Sequence, residues 1–186
     1  MRRLLACLIA LLTTGAAWGG SYPYNLSLTP DLAIHERTDT IEGLSLSVWG
    51  ENPQSAFALG LLNGSRGGSS GLSVGLGNYA ESYQGLQWSL VNYTDFDFTG
   101  WQGGFCLGLL ASVINYSGNQ MTGLQIGLAN YARRLSGVQI GVVNLADRAD
   151  PGVQVGIVNV IEANRSWFGE APRALAPVMV LVNWRF

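Results

Sequence analysis

Large apolar side chains alternate with small or polar ones along most of this chain. The pattern is sharpest in residues 123–130, 137–144 and 152–159. There Leu124, Ile126 and Leu128, then Val138, Ile140 and Val142, then Val153, Val155 and Ile157 form one row. The other row holds Gly123, Gln125 and Gly127, followed by Gly137, Gln139 and Gly141. A two-residue period belongs to a β-strand, whose successive side chains point to opposite faces, and not to a helix. Glycine gives a strand no side chain to pack, so glycines at two fixed points of one row predict a close approach on that face.

The three segments are copies of one unit that begins with glycine and closes on asparagine. Earlier copies begin at Gly71, Gly85 and Gly108, and weaker ones at Gly43 and Ala56. The closing residues Asn63, Asn78, Asn92, Asn115, Asn130, Asn144 and Asn159 lie 14 or 15 apart, with one step of 23. A fixed period of this kind means one supersecondary unit used repeatedly. Short links such as Asn52-Pro53, Asp150-Pro151-Gly152 and residues 132–135 have hairpin length, and parallel strands ordinarily need longer crossovers. The expectation is therefore an antiparallel meander with strands at 22–28, 41–49, 54–63, 71–79, 85–98, 101–116, 123–131, 137–145, 152–161 and 176–186. The long step makes 85–98 and 101–116 one hairpin turning at Thr99-Gly100. The rival arrangement is a β-solenoid, in which a period near 15 stacks coils and the asparagines form a ladder. Against it stand the runs of eight alternating residues without an evident corner, and the long hairpin.

Composition turns the meander toward a membrane. Only 12% of residues are charged while 48% are hydrophobic, and a water-soluble domain carries about twice that charge. Arg2 and Arg3 followed by the apolar run Leu4 to Leu12 read as a secretory signal, with cleavage after Ala17 or Gly19. Residues 1–19 are thus the expected signal and 20–186 a single domain of 14–15-residue strand-turn repeats. Beyond the signal no apolar run approaches the roughly 20 residues of a membrane helix. Ten strands, an even number, with short links on one side and longer ones on the other, give the expected fold: all-β, an antiparallel meander closed into a small transmembrane β-barrel of about ten strands. The large row would face lipid. Gln87, Gln125, Gln139 and Gln154 would face a narrow polar lumen and hydrogen-bond across it. The asparagines would alternate between the two membrane edges, followed by tyrosines at Tyr79, Tyr93, Tyr116 and Tyr131 as interfacial belts.

Two resemblances rest on these residues. The end of the chain, with Val178, Val180, Val182, Trp184 and Phe186 in one alternating row, resembles the terminal signal of outer-membrane barrels. That resemblance implies recognition by the barrel-assembly machinery and leaves Arg185 facing inward near the rim. Residues 41–160 resemble uncharacterised bacterial surface-repeat proteins whose repeats read Gly-Leu-Gln-x-Gly-Leu-x-Asn. This implies an exported, surface-associated protein of Gram-negative type in the outer membrane, and no activity.

Candidate chemistry is sparse. The chain has no lysine and a formal charge of −2, or −4 once Arg2 and Arg3 leave. A mildly acidic chain without a basic stripe excludes nucleic acid as a partner. His35 is the only histidine, and a lone imidazole beside Glu36 and Asp39 has neither a fixed nucleophile nor metal-ligand spacing. Cys106 falls on the inner row, where a small buried thiol is the default. No cofactor is expected. The expected function is non-enzymatic, a structural or interaction role at the surface, with lipid of the outer membrane as one partner and a surface partner unspecified. The loop bearing Arg165, Trp167, Phe168 and Arg173 is the candidate contact, with a chemistry suited to a protein partner or lipopolysaccharide. A narrow passive pore, a soluble exported solenoid and an outer-membrane lipid-modifying enzyme using His35 are the alternatives.

Overall fold

The computed structural model describes residues 19–104 and 112–186. Residues 1–18 of the expected signal, Cys106 and the first four residues of the repeat copy at Gly108 lie outside them. The strands are β1 (Ser21–Thr29), β2 (Leu32–Ala33), β3 (Thr40–Asn52), β4 (Ser55–Val74), β5 (Gly77–Trp88), β6 (Val91–Thr94), β7 (Phe98–Gly103), β8 (Ser112–Ile161) and β9 (Val178–Arg185). They make one sheet system, with no helix among the described residues, wound as a parallel β-solenoid of about six turns.

The pairing decides this. β3 runs parallel to β4 with Leu44 beside Phe57 and Leu46 beside Leu59. β4 pairs parallel with β5, Asn63 opposite Asn78 and Leu72 opposite Leu86. β5 pairs parallel with β7, Leu86 beside Trp101, and β7 with β8, Gln102 beside Gln125. Each unit therefore lies directly on the equivalent unit of the next coil. In the expected meander it would have run back along its neighbour.

The barrel expectation is overturned by these registers. β9 pairs antiparallel with β8 alone and never returns to β1, so no closed ring of transmembrane strands forms. The long hairpin is absent as well: residues 85–88 and 100–103 run parallel, one coil apart. The link expected at 132–135 is itself strand, inside the fifty-residue β8.

The sequence provides the corners that the strand period concealed. Gly71, Gly85, Gly100, Gly123 and Gly137 all have φ between 118° and 151°, a region open to glycine and closed to side chains. A Cβ on any of them would collide with backbone of the preceding coil, the carbonyl of Gly85 in the case of Gly100. The second corner is the asparagine. Between the two corners each coil has two walls, residues 123–130 and 131–136 in one repeat.

The interior divides likewise. Behind the first wall lie Gln87, Gln102, Gln125, Gln139 and Gln154, all essentially inaccessible, with the asparagines at the corner. Behind the second wall Tyr83, Phe98, Met121, Leu135 and Ala149 form an apolar column. The small-and-polar row is thus the inner row, as the alternation predicted, but it fills a packed coil and lines no lumen. A passive pore accordingly has no channel to use among the described residues.

Both ends are covered by antiparallel pieces. β2 folds back on β1, and β9 crosses the last coil, with Val153 beside Trp184 and Gln154 beside Asn183.

Candidate functional site

Two amide ladders fix the coil geometry from which the outer faces follow. Asn63, Asn78, Asn92, Asn115, Asn130 and Asn144 each donate Nδ2–H to Oδ1 of the next asparagine at 2.8–3.0 Å. Several also donate to a backbone carbonyl, as Asn92 does to Gly103 and Asn144 to Val155. The glutamines run the other way: Nε2 of Gln102, Gln125, Gln139 and Gln154 each donates to the preceding Oε1 at 2.8–3.0 Å. A buried amide left unmatched costs about 1–3 kcal/mol, so the ladders hold each coil in register with its neighbours. The bonds run along the axis, where the barrel reading had them crossing a lumen. The asparagines lie on one corner and do not alternate between two edges.

The first wall turns its large row outward. Leu44, Phe57, Leu72, Leu86, Trp101 and Leu124 stack in one line through the paired strands. Beside them Leu59, Leu61, Leu62, Leu76, Val91, Ile114, Ile140, Val142 and Ile157 are all exposed, Ile157 at 62% and Leu61 at 52%. No charged residue interrupts the wall in residues 56–62, 71–76, 123–129, 137–143 or 152–158. From the Leu44 rung to the Val153 rung there are seven steps of about 4.8 Å, and five residues at about 3.3 Å span the wall, so the face measures roughly 34 Å by 17 Å, about 600 Å². A soluble monomer rarely leaves so large an apolar patch without a use for it.

A tyrosine row borders this face. Tyr79, Tyr93 and Tyr116 occupy equivalent positions in successive coils. Tyr93 stacks on Tyr116 at 4.9 Å and Tyr116 on Tyr131 at 5.0 Å. Their hydroxyls turn toward the charged second wall, where Tyr79 donates to Glu51, Tyr93 to Asp95 and Tyr131 to Asp147. Burial, then the neighbouring carboxylate, pushes the Tyr93 and Tyr131 phenols above their ordinary value. Burial does the same at Tyr79. The tyrosines thus border one edge of one face, where the barrel reading placed them at both membrane edges. On the opposite edge Ser70, Gln84, Thr99 and Thr122 line up before the glycine corner.

The second wall is polar outside and ends in an open groove of about 1160 Å³ lined by Arg133, Arg134, Arg148, Arg165, Arg173 and Arg185 with four carboxylates. The structure thus brings the predicted loop residues Arg165 and Arg173 together with three arginines read from sequence as ordinary turn and link positions. Their alignment depends on the 14–15-residue register, which alone could have signalled it. Trp167 and Phe168 stay exposed at 64% and 56% and do not line the groove. Of the terminal row, Val178, Val180 and Phe186 are exposed while Val182 and Trp184 are half-buried. Leu181 at φ 68° shifts the phase and sends Asn183 into the interior. Arg185 sits near the coil end, bonded to the carbonyl of Ala163, Asn164 Oδ1 and Glu170.

His35 stacks on Tyr22 at 3.8 Å with Tyr24 edge-on at 6.1 Å, the setting of a packed imidazole. Among the described residues no group of three His, Cys, Asp or Glu is placed to hold a metal. No family model, curated protein or solved structure matches the chain.

Proposed function

We propose that this protein is an exported, non-enzymatic β-solenoid scaffold that seats its apolar wall on a lipid surface and presents its charged wall to the aqueous phase. The observation that carries the reading is the tyrosine row. It lies between an uncharged apolar face and the acids and arginines, its rings stacked along the axis and the hydroxyls of Tyr79, Tyr93 and Tyr131 bonded to carboxylates. Aromatic residues take that position where a protein meets a membrane interface. Covering about 600 Å² of apolar surface is worth on the order of 15 kcal/mol before association costs. Residues 20–186 are net acidic and contain no lysine, so attraction to anionic headgroups adds little. Seating of the apolar wall is expected to be as strong on zwitterionic vesicles as on vesicles of singly charged anionic lipid. The placement proposed is the outer membrane or cell surface, following the export signal and the repeat resemblance.

A second reading, in which the same face covers a second copy, is favoured by its flatness. Two such faces would bury about 1,200 Å², the lower limit for a stable interface. Flotation of the exported chain with phosphatidylcholine vesicles tests both. We expect the protein to rise with the vesicles and the variant Leu61→Glu/Ile157→Glu to stay behind, still folded. A chain that stays behind as a stable dimer supports the second copy, and one that stays behind as a monomer removes both readings.

A further inference from the structure

We propose that the arginine groove is a binding site for a multiply phosphorylated ligand, such as a phosphate polymer or a phosphorylated glycan headgroup. The sequence has ten arginines, of which Arg2 and Arg3 fall in the expected signal; six of the other eight line this one groove. Eight of the twelve acids lie before residue 98; of these Asp97 reaches the edge of the groove, where it accepts from the Asn119 side chain. The charge is therefore polarised along the solenoid axis, acidic at the start and arginine-rich at the end.

Five of the six groove arginines are not spent on internal ion pairs. Arg185 pairs with Glu170 at 3.3 Å. The carboxylate of Asp147 accepts the Tyr131 hydroxyl at 3.0 Å. Among the described residues Arg133, Arg134, Arg148, Arg165 and Arg173 have no carboxylate within 4.0 Å, whereas Arg37 and Arg66 at the other end both do. All five are exposed.

Register makes this arrangement costly without a ligand. The Asn130–Asn144 bond aligns consecutive coils at a step of 14, which places Arg134 directly below Arg148, one coil spacing of about 4.8 Å away. Like charges opposed across neighbouring strands are destabilising. An anion between them would reverse the sign. Guanidinium presents a planar fork that grips phosphate oxygens two at a time. One carboxylate brings a single charge and cannot satisfy five guanidiniums ranged along an open groove; a run of phosphates can. The groove lies on the second wall, beyond the tyrosine row, so it remains accessible whether or not the apolar face is covered.

The test is titration calorimetry of the full exported chain with short-chain inorganic polyphosphate at low and moderate salt. A parallel arm measures binding to phosphatidylcholine vesicles with and without diphosphorylated lipid A. Binding is expected in at least one arm, weakening with salt. Arg134→Ala/Arg148→Ala should weaken it roughly tenfold or more, and Arg134→Lys/Arg148→Lys should fall between, since lysine keeps charge but loses the fork. Arg66→Ala, at the acidic end, should bind as the parent does. Binding to polyphosphate alone identifies a free polymer as the source, and a gain only on lipid A vesicles identifies a headgroup. Absence of binding to polyphosphate together with no gain from lipid A overturns the proposal, as does an alanine variant that binds like the parent. Leu61→Glu/Ile157→Glu removes the apolar face and spares the groove, so failure of the lipid-seating reading leaves this result interpretable.

Discussion

At Gly100 the backbone has φ 133° and the carbonyl of Gly85 occupies the space a Cβ would need. Gly100→Ala should therefore destabilise the fold by at least about 2 kcal/mol, since neither strain nor clash can relax without moving a coil. Gly67→Ala, at φ 60° with open space around it, should cost only about 1 kcal/mol; urea midpoints for the two variants make the comparison. Gln125 accepts from Gln139 and donates to Gln102, both at 2.8 Å. Gln125→Leu should cost about 2–4 kcal/mol by orphaning one buried donor and one buried acceptor. Tyr83 is 3% exposed, and its hydroxyl lacks a hydrogen-bond partner. Burial raises its pKa well above the usual phenol value. The folded chain thus keeps a proton that the unfolded chain releases near pH 10, and stability should fall as pH rises past that value. Tyr83→Phe should flatten this alkaline slope and leave stability at pH 7 equal or higher; an unchanged slope would assign it to other groups.

Among the elements, β9 is the one whose pattern reads most easily and whose placement reads least. Its alternating valines and terminal aromatic are plain in the sequence, yet they fit the last strand of a barrel as well as the cap of a coil stack. The structure uses them as a cap: Asn183 enters the interior, donating to the carbonyls of Asn159 and Ala176, and the strand runs antiparallel over residues 152–160. An antiparallel cover ends the stack because the next parallel coil cannot add to it. Deleting residues 177–186 should bare the edge of the last coil and produce edge-to-edge oligomers on light scattering. A strictly monomeric truncated chain would show that the edge is protected by something else.

For the whole molecule, repetition predicts tolerance to loss of complete coils. Removing residues 137–151 joins Ser136 to Gly152 and seats Gln154 where Gln139 had bonded to Gln125, with Asn159 over Asn130. Stability in a solenoid is close to a sum over coils and their contacts. The shortened chain should keep its β-sheet circular dichroism and unfold cooperatively at a lower midpoint. Removing residues 137–144 alone deletes one wall and a corner and should abolish the folded signal. The same stacking collects the outward leucines into one apolar wall and the arginines into one groove, although neither group is continuous in sequence.

Local pattern is enough to make the chain all-β, to put glycine, glutamine and asparagine in the inner row, and to turn the large apolar row outward. These follow from a two-residue period, which any strand must obey whatever its neighbour. It also marked the asparagine interval that became a ladder. The choice between antiparallel and parallel pairing came from the fold, because alternation fixes the face a side chain takes and says nothing about the direction of the strand beside it. The corners were hidden for a related reason: glycine in an inner row looks the same whether it gives room to a neighbour or turns the chain through positive φ. Once the coils stack at 14–15 residues, Arg134 meets Arg148 and Tyr93 meets Tyr116. Those meetings, set by register and invisible to local pattern, build the surfaces on which the proposed function rests.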